Sequence, residues 1–216
     1  MINLLISGHN GKLGKKIISN VNKNPNINYL GYIDIRQSDF NKSILHTENI
    51  VIVDVTVDIA CKNLLEYLIS NQIYVPLIIG TTGNLPIDLI KKYSENAAVA
   101  QISNFSEGIT SILNILPIIS MNIPSAEIQI FETHHIHKKD GPSGTAKTLA
   151  DKINLPHSNL FFSREGEIYG IHEVKYETPS EIITIKHEVK DHNIFAIGCL
   201  KWIEKISKEE KGYYQN

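Results

Sequence analysis

The 216 residues suffice for one large domain or two small ones. A hydrophobic fraction of 42% beside 20% charged residues provides for a packed core and argues against disorder. With 21 basic and 23 acidic side chains the net charge is −2, which argues against a protein built to coat nucleic acid or an anionic membrane.

Residues 2–6 are an apolar run closing on Ser7-Gly8, the pattern of a strand buried on both faces. Residues 12–21 set Leu13, Ile17, Ile18 and Val21 on one helical face. After Asn24-Pro25-Asn26, residues 27–33 read as a second strand ending at Asp34. Residues 49–57 form a third strand containing Asp54, and residues 61–69 have helical periodicity. A fourth strand at 74–79 ends in Gly80-Thr81-Thr82-Gly83, followed by a helix at 86–96 and a strand at 98–102. This alternation predicts a parallel sheet with helices on both faces.

Beyond Phe105 the pattern changes. Residues 108–121 read as a helix with Pro117 near its end, and residues 127–133 alternate like an antiparallel strand covered on one face. Residues 173–178 and 181–189 alternate as well, and residues 195–207 are helical around Trp202. The expected fold class is α/β: a Rossmann-like parallel-sheet nucleotide domain at 1–106 and 192–216, plus an α+β mixed-sheet substrate and oligomerisation domain at 107–191. Cys61 and Cys199 show no C-x-x-C spacing, so both are expected to be small buried apolar residues. There is no long apolar run to cross a membrane and no signal-peptide pattern at the start, so a cytoplasmic location is expected.

Gly8-x-x-Gly11-x-x-Gly14 follows a strand and opens a helix. Glycines there let the backbone approach a pyrophosphate, and the free amides of the helix start face the anion. The spacing is a variant of G-x-G-x-x-G, with Asn10 where the second glycine is commonest. A structural turn would look similar, but Asp34 adds a carboxylate at the end of the second strand, suited to the adenosine ribose hydroxyls. Asp34 repels a 2′-phosphate and leans the cofactor towards NADH over NADPH. Arg36 either pairs with such a phosphate or is a solvated surface charge. Gly80-Thr81-Thr82 and Ser103-Asn104-Phe105-Ser106 end the fourth and fifth strands, on the edge where open parallel sheets bind ligands.

The densest polar stretch is Glu132-Thr133-His134-His135-Ile136-His137-Lys138-Lys139-Asp140-Gly141-Pro142-Ser143-Gly144-Thr145-Ala146. Its histidines invite a metal, but His134 and His135 point to opposite faces of a continuing strand. No cysteine or compact carboxylate set completes a site, so no metal is expected. A solvated loop is the plain alternative. As a substrate site, Asp140-Gly141-Pro142 forms a turn and Ser143 caps a helix. Ser143, Gly144 and Thr145 then offer amides and hydroxyls to a carboxylate. Lys138 adds positive charge, and a histidine adds a proton donor near neutral pH. Facing a nicotinamide, these parts suit hydride delivery followed by protonation of the adjacent carbon.

This stretch resembles the signature E-x-H-H-x-x-K-x-D-x-P-S-G-T-A of the 4-hydroxy-tetrahydrodipicolinate (dihydrodipicolinate) reductase family. The resemblance extends over nearly the whole chain, through Asp54-Val55-Thr56, Arg164-x-Gly166-x-Ile168-x-Gly170-x-His172 and Phe195-Ala196. It implies NADH- or NADPH-dependent reduction of the cyclic imine formed from 4-hydroxy-tetrahydrodipicolinate, a small dicarboxylate. The products are tetrahydrodipicolinate and water, in lysine and diaminopimelate biosynthesis. It implies a homotetramer whose domains close through hinges near Phe105 and His192.

By the same resemblance, His134 and Lys138 are the proton-donating pair, and His135, Ser143, Gly144 and Thr145 bind substrate. Gly8, His9, Asn10, Gly11, Lys12, Leu13, Asp34, Gly80, Thr81, Thr82, Ser103, Asn104, Phe105 and Ser106 hold the dinucleotide. The chain departs from the family where Lys12 replaces a frequent arginine, Asp34 replaces a glutamate, and His192 stands near a common arginine. The 36–49 segment and the tail after Gly212 are short. Two rival readings are a catalytically weak NAD(P)H sensor and another two-domain Rossmann dehydrogenase, acting on an amino-acid aldehyde or an aspartate imine. A phosphorylating aldehyde dehydrogenase needs a nucleophilic cysteine, and both cysteines lie in apolar helical contexts.

Overall fold

The computed structural model describes residues 1–36, 42–139 and 141–215. Asp140 of the expected turn, and residues 37–41 of the short segment after Arg36, lie outside the described residues. In chain order the elements begin with β1 (Ile2–Ser7), α1 (Lys12–Val21), β2 (Ile27–Tyr32), β3 (Ile50–Asp54), α2 (Asp58–Ser70), β4 (Leu77–Ile79), α3 (Ile87–Ser94) and β5 (Ala98–Gln101). They continue with α4 (Glu107–Asn122), β6 (Glu127–His134), α5 (Gly144–Lys152), β7 (Leu160–Arg164), β8 (Ile171–Glu177), β9 (Ile182–Glu188), α6 (Asn193–Ile206) and β10 (Gly212–Gln215). The chain divides into two compact units: one holds residues 1–105 and those from Phe195 onward, the other Ser106–Ile194.

In the first unit the strands run parallel in the order β10-β5-β4-β3-β1-β2. Successive side chains on a strand point to opposite faces. Leu4, Ile6, Val51, Val53 and Ile78 therefore meet Ile17 and Val21 of α1 and Cys199, Ile203 and Ile206 of α6. Leu5, Ile50, Ile52, Leu77 and Ile79 meet Leu64, Leu65 and Leu68 of α2 and Ile90 and Tyr93 of α3. Both faces are dry, which is why these strands are unbroken apolar runs. Each fully buried aliphatic here contributes about 1.5–3 kcal/mol. The strand order reverses at β1, between β2 and β3, and that opens a crevice beyond their carboxyl ends. Cys61 and Cys199 are buried in this unit, and burial pushes both thiols up. The strand β10 has no counterpart in the sequence reading: four residues behind a polar stretch carry too little periodicity to register.

The second unit has a mixed sheet, β7-β6-β8-β9, in which β6 runs parallel to β7 and antiparallel to β8, and β8 runs antiparallel to β9. One face packs Ile130, Leu160, Val174 and Tyr176 against Ile109, Leu113 and Leu116 of α4 and Leu149 of α5. The helix α4 continues past Pro117, whose ring lies on its exposed side. β7 was not expected, because Leu160-Phe161-Phe162-Ser163-Arg164 does not alternate apolar with polar.

Candidate active site

The turn from β1 into α1 can be made only with glycine. Gly8 has a φ of +92°, and a Cβ there would lie 2.6 Å from the Val55 carbonyl oxygen. A Cβ on Gly14 would lie 2.3 Å from the Gly8 carbonyl oxygen. No side chain caps α1, so its first-turn amides are left for another acceptor. A cleft of about 240 Å³ lies there, lined by Gly8, His9, Asn10, Gly11, Asp34, Arg36 and Thr56 among others. Arg36 grips Asp34 with two hydrogen bonds of 2.8 Å and holds that carboxyl below the usual range. The His9 ring stacks on Tyr32 at 3.9 Å.

Asp54, at the end of β3, is fully buried. It accepts hydroxyls from Thr56 at 2.7 Å and Thr81 at 2.6 Å, and Thr81 Oγ1 in turn accepts the Thr56 N–H at 2.9 Å. Burial raises the Asp54 pKa against the lowering effect of these hydroxyls. The Thr81 side chain is thus committed to tying β3 to β4, and Thr82 beside it is exposed.

The structure brings Gly8 to Gly11 and Asp34 to one cleft. Lys12 is exposed at the start of α1, and Leu13 packs against the core. Gly80, Thr81, Thr82, Ser103 and Asn104 follow β4 and β5 and do not line this cleft. Phe105 is a core residue at 4% exposure, and its ring packs so closely on Gly80 that a Cβ there would come within 2.6 Å. Ser106 opens the second unit and is fully buried. Its hydroxyl caps α4 by accepting the Ile109 N–H and sits 3.0 Å from His187 Nε2.

In the second unit the alternation of β6 puts Ile130, Glu132 and His134 on the face covered by helices. The register then sets His172 of β8 opposite Glu132, His187 of β9 opposite His172, and Arg164 of β7 beside His134. The Glu132 side chain has no exposure at all. Its Oε1 accepts the Ser143 N–H at 2.9 Å and lies 3.3 Å from Arg164 Nη2. Its Oε2 has no aligned donor among the described residues and stands 3.4 Å from His134 Nδ1 and 3.6 Å from His172 Nε2. A buried acceptor left in that state costs about 1–3 kcal/mol. Burial, and then the charges of His134, His187 and Lys138, push His172 down to about 3, so its ring is neutral. Burial also lowers His187.

Ser143 caps α5 by accepting the Ala146 N–H at 3.2 Å, Gly144 is exposed at the helix start, and Thr145 is 9% exposed. The loop after β6 is pinned by Glu165 N–H to the His134 carbonyl at 2.8 Å and by Arg164 Nε to the Lys138 carbonyl at 3.2 Å. His135 is half-buried, and exposed His137 lies 3.6 Å from Glu167. His134, Lys138 and Ser143 to Thr145 thus belong to one cluster. Glu132, Arg164, His172 and His187 complete it, and the sequence reading gave none of them a role. Glu132, Arg164 and His172 stood in quoted motifs, but only sheet register shows that they meet.

Glu132, His134 and His172 present donor atoms within 4.8 Å of one another, because His172 arrives from a different strand. Arg164 occupies the same carboxylate and sets a positive charge against any cation there.

Residues 2–105 match the family described as dihydrodipicolinate reductase, N-terminus, and residues 108–216 match the corresponding C-terminus. A 4-hydroxy-tetrahydrodipicolinate reductase of Sulfurimonas denitrificans is 32% identical over 251 residues, covering 99% of this chain and 97% of its own. One from Clostridium novyi is 32% identical over 245 residues, covering 99% and 96%. The structure of a dipicolinate-bound dihydrodipicolinate reductase from a Paenisporosarcina species aligns with a TM-score of 0.73 at 19% identity, over 100% of this chain and 98% of that one. A DAP dehydrogenase of C. glutamicum in complex with DAP aligns at 0.62 and 11% identity, over 99% and 92%. At these identities the two structures show a shared fold alone.

Proposed function

The chain belongs to the dihydrodipicolinate reductase family, and from that premise we propose that it reduces 4-hydroxy-tetrahydrodipicolinate to tetrahydrodipicolinate and water with NADH or NADPH, in lysine and diaminopimelate biosynthesis. The observation that carries this reading is the assembly of His134, the Lys138 loop and the N-terminus of α5 around one buried carboxylate, Glu132. A proton donor, a cation and a carboxylate-binding helix start then belong to one piece of structure.

The first unit fits a dinucleotide. Its glycine turn has no room for a Cβ, the first turn of α1 lacks a capping side chain, and Asp34 lines the same cleft. In this reading Gly8 to Gly11 hold the pyrophosphate, Asp34 holds the adenosine ribose, and the backbone of Gly80 to Thr82 and Ser103-Asn104 lies towards the nicotinamide. When bound, the nicotinamide supplies the hydride. The chain's own groups do the rest. Ser143 to Thr145 orient the substrate by a carboxylate, His135 contacts it, and the His134–Lys138 pair holds and delivers the proton to the carbon next to the reduced one. Asp34 favours NADH, and Arg36, already bonded to it, moderates that preference towards NADPH.

The domain roles follow: residues 1–106 and 192–216 take the cofactor, and residues 107–191 take the substrate and build a homotetramer. The sheet face opposite α4 and α5 supports the last point. Phe131 and Phe161 stack on it at 5.2 Å, with Phe161 44% and Ile182 55% exposed. No described helix is long and apolar enough to cross a membrane. The reading places the enzyme in the cytoplasm, where NADH and NADPH are regenerated.

The test is loss of reduced-nicotinamide absorbance when the enzymatically made imine is added to the purified chain. Turnover, inhibited by pyridine-2,6-dicarboxylate, is the expected result. Cofactor binding without turnover would overturn the reading.

A further inference from the structure

We propose that Glu132 is a positioning residue that keeps the proton-donating pair in register: it fixes the His134 ring through Nδ1 and, through Arg164, the backbone at Lys138. The inference deepens the proposed reaction and rests on that reading for the meaning of "proton-donating". The geometry beneath it stands on its own.

Glu132 is fully buried, so an oxygen there without a hydrogen bond is costly. Oε1 is held from two directions, by the Ser143 N–H at 2.9 Å and by Arg164 Nη2 at 3.3 Å. A carboxylate held so at one oxygen cannot turn away, and Oε2 is left 3.4 Å from His134 Nδ1 and 3.6 Å from His172 Nε2, near enough for a small turn of either ring to close the bond. His172 has a second neighbour for the same nitrogen, Ser143 Oγ at 3.4 Å. His134 lies one side chain further along the same face of β6 as Glu132, so the pair shares one strand and one pleat. A hydrogen on Nδ1 directed at Oε2 leaves Nε2 as the working nitrogen. Gly170 stands beside Nε2: a Cβ there would come within 3.1 Å of it.

The other arm runs through Arg164. Its Nη2 meets Glu132 and its Nε donates to the Lys138 carbonyl at 3.2 Å. The Ser143 amide that Glu132 binds lies one residue before Gly144, at the start of α5. One carboxylate therefore sets the ring of His134, the backbone of Lys138 and the entry to the proposed carboxylate grip. A residue of this kind touches neither substrate nor cofactor, and its effect is on turnover more than on binding.

The experiment uses the full-length chain, without ligand, labelled with ¹⁵N. A long-range proton–nitrogen correlation spectrum at about pH 8, where an ordinary imidazole is neutral, reports which ring nitrogen of His134 carries hydrogen. The His134 signals are identified by their loss in His134→Gln. A proton on Nδ1 is expected, and its loss of preference for Nδ1 in Glu132→Gln. In turnover, Glu132→Gln should lower kcat about a hundredfold and change KM for imine and cofactor by less than about threefold, the scale of one displaced acid–base group. A bare Nδ1 in the unsubstituted protein, or full kcat in Glu132→Gln, overturns the proposal. Should Glu132→Gln fail to fold, the spectrum of the unsubstituted chain decides alone. If the unsubstituted chain leaves the imine unreduced, the proposed function fails, while the ring measurement still decides whether Glu132 fixes His134.

Discussion

His172 makes the second unit sensitive to acid by a calculable amount. Its imidazole is shifted from the usual value near 6.5 down to about 3, mainly because the ring is buried, and further because His134, His187 and Lys138 surround it with positive charge. The folded chain refuses a proton that the unfolded chain accepts throughout that interval, so the stability this ring allows is present above about pH 6.5 and is lost as pH falls towards 3. At ~1.4 kcal/mol per pH unit the full interval amounts to ~5 kcal/mol as a ceiling, and descent to about pH 4.5 removes ~2.7 kcal/mol. The perturbation is His172→Gln, which keeps a neutral polar group opposite Glu132 but cannot titrate. The assay is amide hydrogen exchange along the β6–β8 ladder between about pH 7 and pH 4.5, because Trp202 lies in the other unit and reports elsewhere. The variant should lose ~2–3 kcal/mol less of local opening free energy than the parent over that range. Equal losses in the two proteins, or a His172 titration near 6.5, would refute the reasoning.

Three further outcomes test the proposed roles. Lys138→Ala should lower kcat about a hundredfold, as loss of one general-acid group does, and unchanged turnover would count against the assignment. Thr145→Val keeps the volume of a residue only 9% exposed and removes its hydroxyl. It should raise the substrate KM several-fold while kcat is kept, and a fall in kcat at constant KM would move Thr145 out of the binding role. Asp34→Ala breaks the two 2.8 Å bonds to Arg36 and should weaken NADH more than NADPH, since the freed guanidinium can meet a 2′-phosphate. Equal weakening in binding titrations would reject the ribose role.

The first unit was legible because its signals are local. Unbroken apolar strands, helix periodicity and a glycine turn each fit within a dozen residues, and together they imply a doubly wound sheet. A loop sequence at a strand end does not tell whether the side chains of Phe105 and Ser106 face the crevice or the core. Phe105 closes on Gly80 inside its unit, and Ser106 spends its hydroxyl on the first turn of α4. β7 and β10 were invisible because neither alternates long enough to outweigh its neighbours. The structural role of Thr81 depends on Asp54, twenty-seven positions away, and no spacing rule connects the two.

The second unit shows where reading along the chain stops and pairing between strands begins. Glu132 could be seen as a letter of a motif, but its partners come from β7, β8 and the start of α5. What brings them together is the apolar register. Ile130 pairs with Val174 and Glu132 with His172, so the same alternation that buries Ile130, Val174 and Tyr176 buries the carboxylate and the imidazole. A slip of one residue in β6 against β8 would turn Glu132 outward and set Thr133 inward, and it would turn Ile128 and Ile130 of the same strand outward as well. Burying those two side chains is worth about 3–6 kcal/mol, against about 0.5–1.5 kcal/mol net for a typical hydrogen bond. The hydrophobic ladder therefore fixes the geometry of the chemistry, and the polar cluster rides on a register it does not itself determine. Truncating Val174, whose side chain is 1% exposed, should accordingly disturb the His134–Glu132 pairing even though Val174 belongs to the apolar core.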